Sequence, residues 1–470
     1  MKKAISKKNV WDSMPAIIKK ILGYALGKIP PEHLIGSTYK ETSRFLNTSQ
    51  WWSKEEIEQY QLAQLKHLLT TAYEKSPYYK KLFDDSGFSP YKFARLHDIK
   101  AIPFLDKHLV NQNRQQMLTV SPNSPRVDYV TTGGTSGMPL SFYTSANRSQ
   151  PEFAYLTSGW GRVGYQLGSQ MAVLRGQKVK QDRNGLHHEY DPILRHNYYS
   201  NFHLSDENIE KYLDHIKTLG TCFLHVYPSS VYYLAKFIKR SGYVAPENIR
   251  GILAESENVY PDQRAFIEEV FKCRYFSSYG HTEKLVAAAE CEYSTNYHVW
   301  PTYGYFELID ENGEAIREKG KAGEIVGTGF LNDVMPFIRY RTGDYAEYVG
   351  EHCELCGRNH TVISNIRGHR VQEVLVAADG SHIPWTAVNA HDDTFDDVLK
   401  FQFEQHEKGH AILKIVTTGN FSDKNLDRIR RNLSAKFDHR LTFEIKSVDD
   451  IKLTNAGKSI YVDQRIKLAH

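Results

Sequence analysis

The sequence predicts an α/β protein: a large N-terminal domain with parallel-type sheets and a β-rich subdomain, followed by a small α+β C-terminal domain. Three observations carry this. Helical and strand-like segments alternate between residues 205 and 277, short apolar runs separated by Gly-containing turns follow residue 300, and residues 371–470 hold a self-sufficient mixture of both. The length agrees, because 470 residues is roughly three times a usual single domain.

Taken in order, residues 17–29 are the most apolar early stretch, but Lys19, Lys20 and Lys28 interrupt it. It is too short and too charged to span a bilayer. With no cleavable signal pattern, the expected location is cytoplasmic. From residue 51 to 83 apolar residues recur at three- and four-residue intervals (Ile57, Tyr60, Leu62, Leu65, Leu68, Leu69, Ala72), with Ser53, Glu55 and Glu56 at the start as a cap region, which reads as one helix. Residues 205–219 read as helix, 222–227 as a strand ended by Pro228, 229–241 as helix, 249–254 as strand, 261–271 as helix and 273–277 as strand. That order implies βαβ units and a parallel sheet. Strand pairs then follow at 304–309 and 324–328, around the turn Asp310-Glu311-Asn312-Gly313. In the last unit, strands at 374–376, 399–403, 411–417 and 442–446 accompany a helix at 424–437.

Composition excludes several classes. The net charge of +4 comes from 59 basic and 55 acidic residues in mixed-sign segments, and the runs Lys2-Lys3, Lys7-Lys8 and Lys80-Lys81 are diluted by apolar and acidic neighbours. No basic stripe predicts a nucleic-acid partner. Five cysteines are too few for a disulfide scaffold, so Cys353-x-x-Cys356 points to metal or redox chemistry.

Four loops carry the candidate chemistry. Thr131-Thr132-Gly133-Gly134-Thr135-Ser136-Gly137-Met138-Pro139 packs three glycines and four hydroxyl residues into nine positions. Such a loop lets backbone N–H groups approach phosphate oxygens while the hydroxyls add hydrogen bonds; a plain hairpin turn is the competing reading. It is neither a Walker A loop nor a dinucleotide fingerprint. Ser278-Tyr279-Gly280-His281-Thr282-Glu283 follows a predicted strand, at the carboxyl edge where α/β sheets bind ligands. There the Tyr279 ring suits a nucleobase, Thr282 a phosphate and Glu283 a Mg²⁺ ion. Arg339-Tyr340-Arg341-Thr342-Gly343-Asp344 offers a carboxylate in a tight turn for the two hydroxyls of a ribose, and Thr454-Asn455-Ala456-Gly457-Lys458 presents a lysine. Each of the first three is, by itself, equally a plain surface turn, and a lone lysine near the C-terminus is usually just solvated.

In this order the four loops resemble the adenylate-forming (ANL) superfamily, and most closely its branch of phenylacetate-CoA ligase and CapK. The segments Leu65-Lys66-His67-Leu68-Leu69, Ser76-Pro77-Tyr78-Tyr79 and Ile102-Pro103-Phe104-Leu105-Asp106-Lys107 add weaker likeness. The resemblance implies a two-domain, ATP-dependent ligase that converts a carboxylate to an acyl-adenylate and passes the acyl group to an amine, hydroxyl or thiol acceptor, with coenzyme A a candidate acceptor and capsule or surface polysaccharide synthesis a candidate setting. It further implies an ATP site of Thr132, Gly133, Gly134, Thr135, Ser136, Gly137, Tyr279, Gly280, Thr282, Asp344 and Arg370. Glu283 would hold Mg²⁺, and Lys458 would be the adenylation lysine on a mobile lid. The hinge-like Ile366-Arg367-Gly368-His369-Arg370-Val371-Gln372-Glu373 sets the expected boundary between residues 1–370 and 371–470. Two positions depart from the family: Met138 stands where a lysine is common, and Gln372-Glu373 replaces an acidic pair.

Cys353-x-x-Cys356 has zinc-knuckle spacing, and thiolates at that spacing favour Zn²⁺ over a redox dithiol or unligated thiols. Cys291 and His298 are the favoured remaining ligands, a choice the resemblance supports, with His352 and His360 as alternative nitrogens. A Cys₃His set is closed and therefore structural. Cys222 and Cys273 read as buried small hydrophobes, Trp160, Tyr227 and Tyr233 as core or acyl-pocket residues, and Glu255 as a lesser candidate for substrate contact.

Overall fold

The structure is a computed structural model. It describes residues 25–131, 140–175, 179–182, 184–200, 204, 206–368, 374–378, 380, 382–384, 393–395, 397–437, 440–452 and 460–466.

The N-terminal part opens with helices α1 (Ser37–Ser49), α2 (Lys54–Lys75) and α3 (Pro77–Ser86). Ser53 and Glu56 form a reciprocal capping box at the start of α2. The single helix expected over residues 51–83 is two helices. Pro77 cannot continue α2 and pushes Ser76 to an extended conformation, so Ser76 ends α2 while its Oγ accepts the Tyr79 N–H of α3. Further along lie α4 (Lys107–Asn113), α5 (Ser149–Trp160), α6 (Asp206–Thr218), α7 (Pro228–Ser241) and α8 (Pro261–Phe271).

The strands β1 (Val127–Thr131) and β2 (Ser141–Ser145) form an antiparallel hairpin. The main sheet comprises β3 (Gln170–Leu174), β4 (His188–Asp191), β5 (His196–Tyr199), β6 (Cys222–Val226), β7 (Ile249–Glu255), β8 (Arg274–Gly280), β9 (Ala287–Glu290), β10 (Tyr297–Val299), β11 (Gly304–Ile309), β12 (Ala322–Gly329), β13 (Tyr340–Gly350) and β14 (Val362–Arg367). Its order is β11-β12-β13-β14-β10-β9-β8-β7-β6-β3-β5-β4. The neighbours β5, β3, β6, β7 and β8 are parallel, as the alternation of helix and strand requires. Beyond β8 every pairing is antiparallel, so the β-rich region is an extension of the same sheet. Three apolar cores support it: one under α6, α7 and α8, one joining α2 and α3 to the antiparallel half, and one packing Trp160 of α5 on Met171, Phe223, Leu253 and Phe276.

The C-terminal unit pairs β15 (Val374–Val376) with β16 (His382–Pro384). It builds a second sheet in the order β19-β18-β17-β20 from β17 (Val398–Glu407), β18 (His410–Thr417), β19 (Thr442–Ser447) and β20 (Val462–Gln464). Helix α9 (Asp423–Phe437) covers it through Ile429, Leu433 and Phe437. Tyr260, just before α8, is buried in that same core, and the Lys236 ammonium of α7 donates to the Phe395 and Val398 carbonyls.

Candidate active site and metal centre

A cavity of about 1380 Å³ opens at the carboxyl ends of the parallel strands. Its wall includes Tyr279, Gly280, Thr282 and Glu283 from the end of β8 and the turn beyond, Asp344 from β13, Lys107 from the start of α4, and Glu255 to Asn258 after β7. Strand β8 runs three residues past its expected end at residue 277. Ser278, Tyr279 and Gly280 find partners in Ala289, Ala288 and Ala287 of β9, so Tyr279 is fixed on a paired strand.

Tyr279 Oη donates to Asp344 Oδ2 at 2.8 Å. Burial, with the Asp344 charge beside it, pushes the Tyr279 phenol well above its ordinary range, so it stays a donor. Asp344 does not sit in a tight turn. It belongs to an irregular part of β13, where the register with β12 shifts and Gly343 adopts φ +73°, a left-handed conformation that favours glycine. The Gly343 N–H donates to Glu324 and the Asp344 N–H to Thr342 Oγ1. The two arginines of this motif are props. Arg339 is buried in a two-bond pair with Glu307 and also donates to the Lys100 and Ile102 carbonyls, while Arg341 pairs with Glu324.

Glu283 is held by His281. The Val286 N–H donates to His281 Nε2 at 3.3 Å, which leaves the proton of the neutral ring on Nδ1, and Nδ1 donates to Glu283 Oε2 at 3.3 Å. Burial raises the Glu283 pKa, but His281, the local backbone and Lys107 together outweigh it and keep the carboxylate below its usual range. The next residue, Lys284, has φ +59° and pairs with Glu152 of α5 on the same cavity wall.

Sequence reading named Glu255, Trp160 and Tyr227 singly but missed Arg175, His225 and Ser256 and the cluster they form together at the ends of β3, β6 and β7. Arg175 Nη1 donates to Glu255 Oε2 at 2.7 Å and to His225 Nε2 at 2.6 Å, Nη2 donates to Ser256 Oγ at 2.7 Å, and the indole N–H of Trp160 donates to Glu255 Oε1 at 3.2 Å. Trp160 and Tyr227 back this cluster, and the Arg175 guanidinium lies over the Tyr227 ring. With Tyr233 they fall outside the cavity lining, whose aromatics include Tyr155, Trp300 and Tyr303. The signal available in the sequence was a titratable residue at or next to each of three strand ends.

The cysteine reading meets a compact cluster. One ligand atom each from Cys291, His298, Cys353 and Cys356 lies within 4.8 Å of all the others. Cys291 Sγ to Cys353 Sγ is 3.9 Å and Cys356 Sγ to His298 Nε2 is 3.7 Å. A tetrahedral ion with metal–sulfur bonds of about 2.3 Å places its sulfurs roughly 3.8 Å apart, whereas a disulfide needs about 2.05 Å. The Cys353 turn is closed by two backbone bonds, Gly357 N–H to the Cys353 carbonyl and Cys353 N–H to the Arg358 carbonyl. Arg358 pairs with Glu292, donates to Gln50 and stacks on Trp51, tying the knuckle to the segment between α1 and α2. His352 bonds instead to Asn359, and His360 is buried beside His298 and Trp300. Cys222 is buried in β6; Cys273 is half-buried just before β8, and burial pushes both thiols up to about 12.

Residues 132–139, with the whole candidate phosphate loop from Thr132 to Gly137, lie outside the described residues, as do Arg370 and Lys458. Among the described residues no helix is long and apolar enough to cross a membrane.

Comparison with known proteins follows the same outline. The chain is 16% identical to the crystal structure of a 2-hydroxyisobutyryl-CoA ligase in the postadenylation state with R3-HIB-AMP bound, with a TM-score of 0.65 over 88% of this chain and 90% of that one. The fold is that of the adenylate-forming ligases. Within that fold, residues 375–465 match the family model of the CapK C-terminal domain. CapK of Staphylococcus aureus is 22% identical over 84% of this chain and 86% of its own, and a phenylacetate-coenzyme A ligase of Thermus thermophilus is 25% identical over 69% and 72%.

Proposed function

We propose that this chain is an ATP-dependent adenylate-forming ligase of the CapK and phenylacetate-CoA ligase kind. The observation that carries the reading is the Tyr279–Asp344 bond at the edge of a large cavity that also holds Glu283, in a chain with the adenylate-forming fold. In the proposed reaction a carboxylate oxygen attacks the α-phosphorus of ATP, the bond to the bridging oxygen breaks, and pyrophosphate leaves with that electron pair. The acceptor's nucleophilic atom then attacks the acyl carbon, the bond to the phosphate oxygen breaks, AMP leaves with that electron pair, and the acceptor gives up its proton.

Each group has a part in this scheme. Asp344, fixed by Tyr279, accepts the ribose hydroxyls, and Thr282 with residues 132–137 binds the phosphates. Glu283, kept ionised by His281, is the residue that would hold Mg²⁺, whose charge offsets that of the triphosphate. Lys107 faces Glu283 and brings to the cavity a cation of the kind that the phosphate loop, with Met138 in its sequence, does not supply. Lys458, carried on a C-terminal unit that begins after residue 370 and closes over the cavity, stabilises the charge growing on the α-phosphate, and Arg370 acts at the hinge. Cys291, His298, Cys353 and Cys356 fit one Zn²⁺ with no open position, giving it a structural role between β9, β10 and the turn after β13. Cytoplasmic synthesis of a capsule or surface polysaccharide, with an amine or hydroxyl acceptor, is favoured by the CapK match over residues 375–465. The matches to phenylacetate-CoA ligases support the second reading, transfer to coenzyme A.

The test is ATP–pyrophosphate exchange dependent on an added carboxylate, run over aryl, fatty, amino and uronic acids with and without coenzyme A. Exchange with at least one acid is expected. Exchange with none overturns the reading.

A further inference from the structure

The cavity has two flanks. On one, Tyr279 meets Asp344 of β13. On the other side of β8, the wall passes to Glu255 of β7, whose register partner is Ser278, and then to Arg175 beyond the end of β3, two strands further along. If the nucleotide occupies the first flank, the acid lies against the second.

That second flank is ionic. The Arg175 and Glu255 side chains keep 21% and 12% of their surface exposed, and across the cavity, beside Glu283, the Lys284 and Glu152 side chains keep 17% and 32%. All four line the cavity, so its contents are their solvent. An alkyl or plain aryl group placed against Arg175 and Glu255 would take water from two charged groups and return no hydrogen bond, a penalty their ion pairing does not recover. A group that donates and accepts hydrogen bonds replaces the water it displaces. The Arg175 cluster is also built in advance: Trp160 holds one Glu255 oxygen, His225 and Ser256 hold the guanidinium, and Ser256 does so from a left-handed backbone at φ +71°. Backbone strain of this kind gathers where a ligand is positioned.

We propose that the acid activated at this site carries a hydrogen-bonding substituent, a hydroxyl or an amino group, that docks against the Arg175–Glu255 pair, and that plain fatty and aryl acids are poor substrates. The inference rests on the ligase reading and deepens it. Its test uses the full-length protein and matched pairs of acids: each hydroxy or amino acid beside the analogue with hydrogen in place of the substituent, compared by kcat/KM in ATP–pyrophosphate exchange. The substituted member is expected to exceed its analogue by about 100-fold or more, because a site built to bond a polar group is left unpaired by the analogue. Arg175→Lys keeps a cation beside Glu255 but loses the two-armed fork, and is expected to shrink that ratio about tenfold. Vigorous exchange with the unsubstituted analogues, fatty acids or aryl acids in the unaltered protein overturns this inference and leaves the ligase reading standing. An unchanged ratio in Arg175→Lys removes Arg175 from the recognition. Exchange with no acid at all overturns the ligase reading, and this one with it.

Discussion

Tyr279 and Asp344, 65 residues apart in sequence, are joined by a 2.8 Å hydrogen bond that spans from the last strand of the parallel half of the sheet to an irregular strand of its antiparallel half. The bond gives each residue a task neither has alone. The phenol, kept protonated, orients the carboxylate, and the carboxylate anchors a ring that would otherwise swing.

Removing the donor should therefore loosen the nucleotide more than the chemistry. Tyr279→Phe is expected to raise the KM for ATP about tenfold while kcat stays within about threefold, the pattern of lost ground-state binding. Steady-state exchange kinetics at varied ATP check this. A fall in kcat with unchanged KM would give Tyr279 a different role.

Lys458 is expected to act only in the transition state. Lys458→Ala should lower ATP–pyrophosphate exchange by about 100-fold or more with little change in the KM for ATP and none in Tm. A variant with undiminished exchange would separate this chain from lysine-assisted adenylation.

Much of this was legible in advance, and the parts that were not share a cause. Periodicity placed β6, β7 and α8 to within a residue because each is set by local pattern and a flanking proline or glycine. The break at Ser76–Pro77 was written in the sequence, but the apolar spacing continues through it and masks it. Tyr279 and Gly280 read as loop from sequence because their strand partners, Ala288 and Ala287, come later in the chain and have no period of their own. The Arg175, His225 and Glu255 cluster was illegible for the same reason: its members lie 50 and 30 residues apart, and only the strand order brings them together. The Cys353 and Cys356 pair was legible because sulfur in a cysteine-poor chain is a strong compositional signal, whereas Cys291 and His298 were chosen with the support of the family resemblance, over His352 and His360 as alternative nitrogens.

The purified protein is expected to carry about one zinc per chain by elemental analysis. Cys356→Ser should lose most of it and lower the Tm by several degrees, since the site ties β9, β10 and the Cys353 turn together and Arg358 links that turn to Gln50. Exchange activity per folded molecule should persist, because the cluster offers no open coordination position. Zinc-free protein with an unaltered Tm would contradict a structural ion.

Glu255 should leave a mark on acid stability. Burial raises its pKa, but Arg175 and His225 outweigh burial and hold it at about 2, against an ordinary value of 4.5. A depressed folded-state pKa means that the unfolded chain takes up the proton first as pH falls. The stabilisation is thus complete above pH 4.5 and drains away between 4.5 and 2, on the order of 3 kcal/mol in all. Urea unfolding at stepped pH should show that slope in the unaltered protein, and Glu255→Gln, which cannot ionise, should flatten it while lowering stability at neutral pH. An equal slope in both proteins would mean that Arg175 does not hold Glu255 charged, and the ionic wall proposed to select polar acids would lose its better-ordered half.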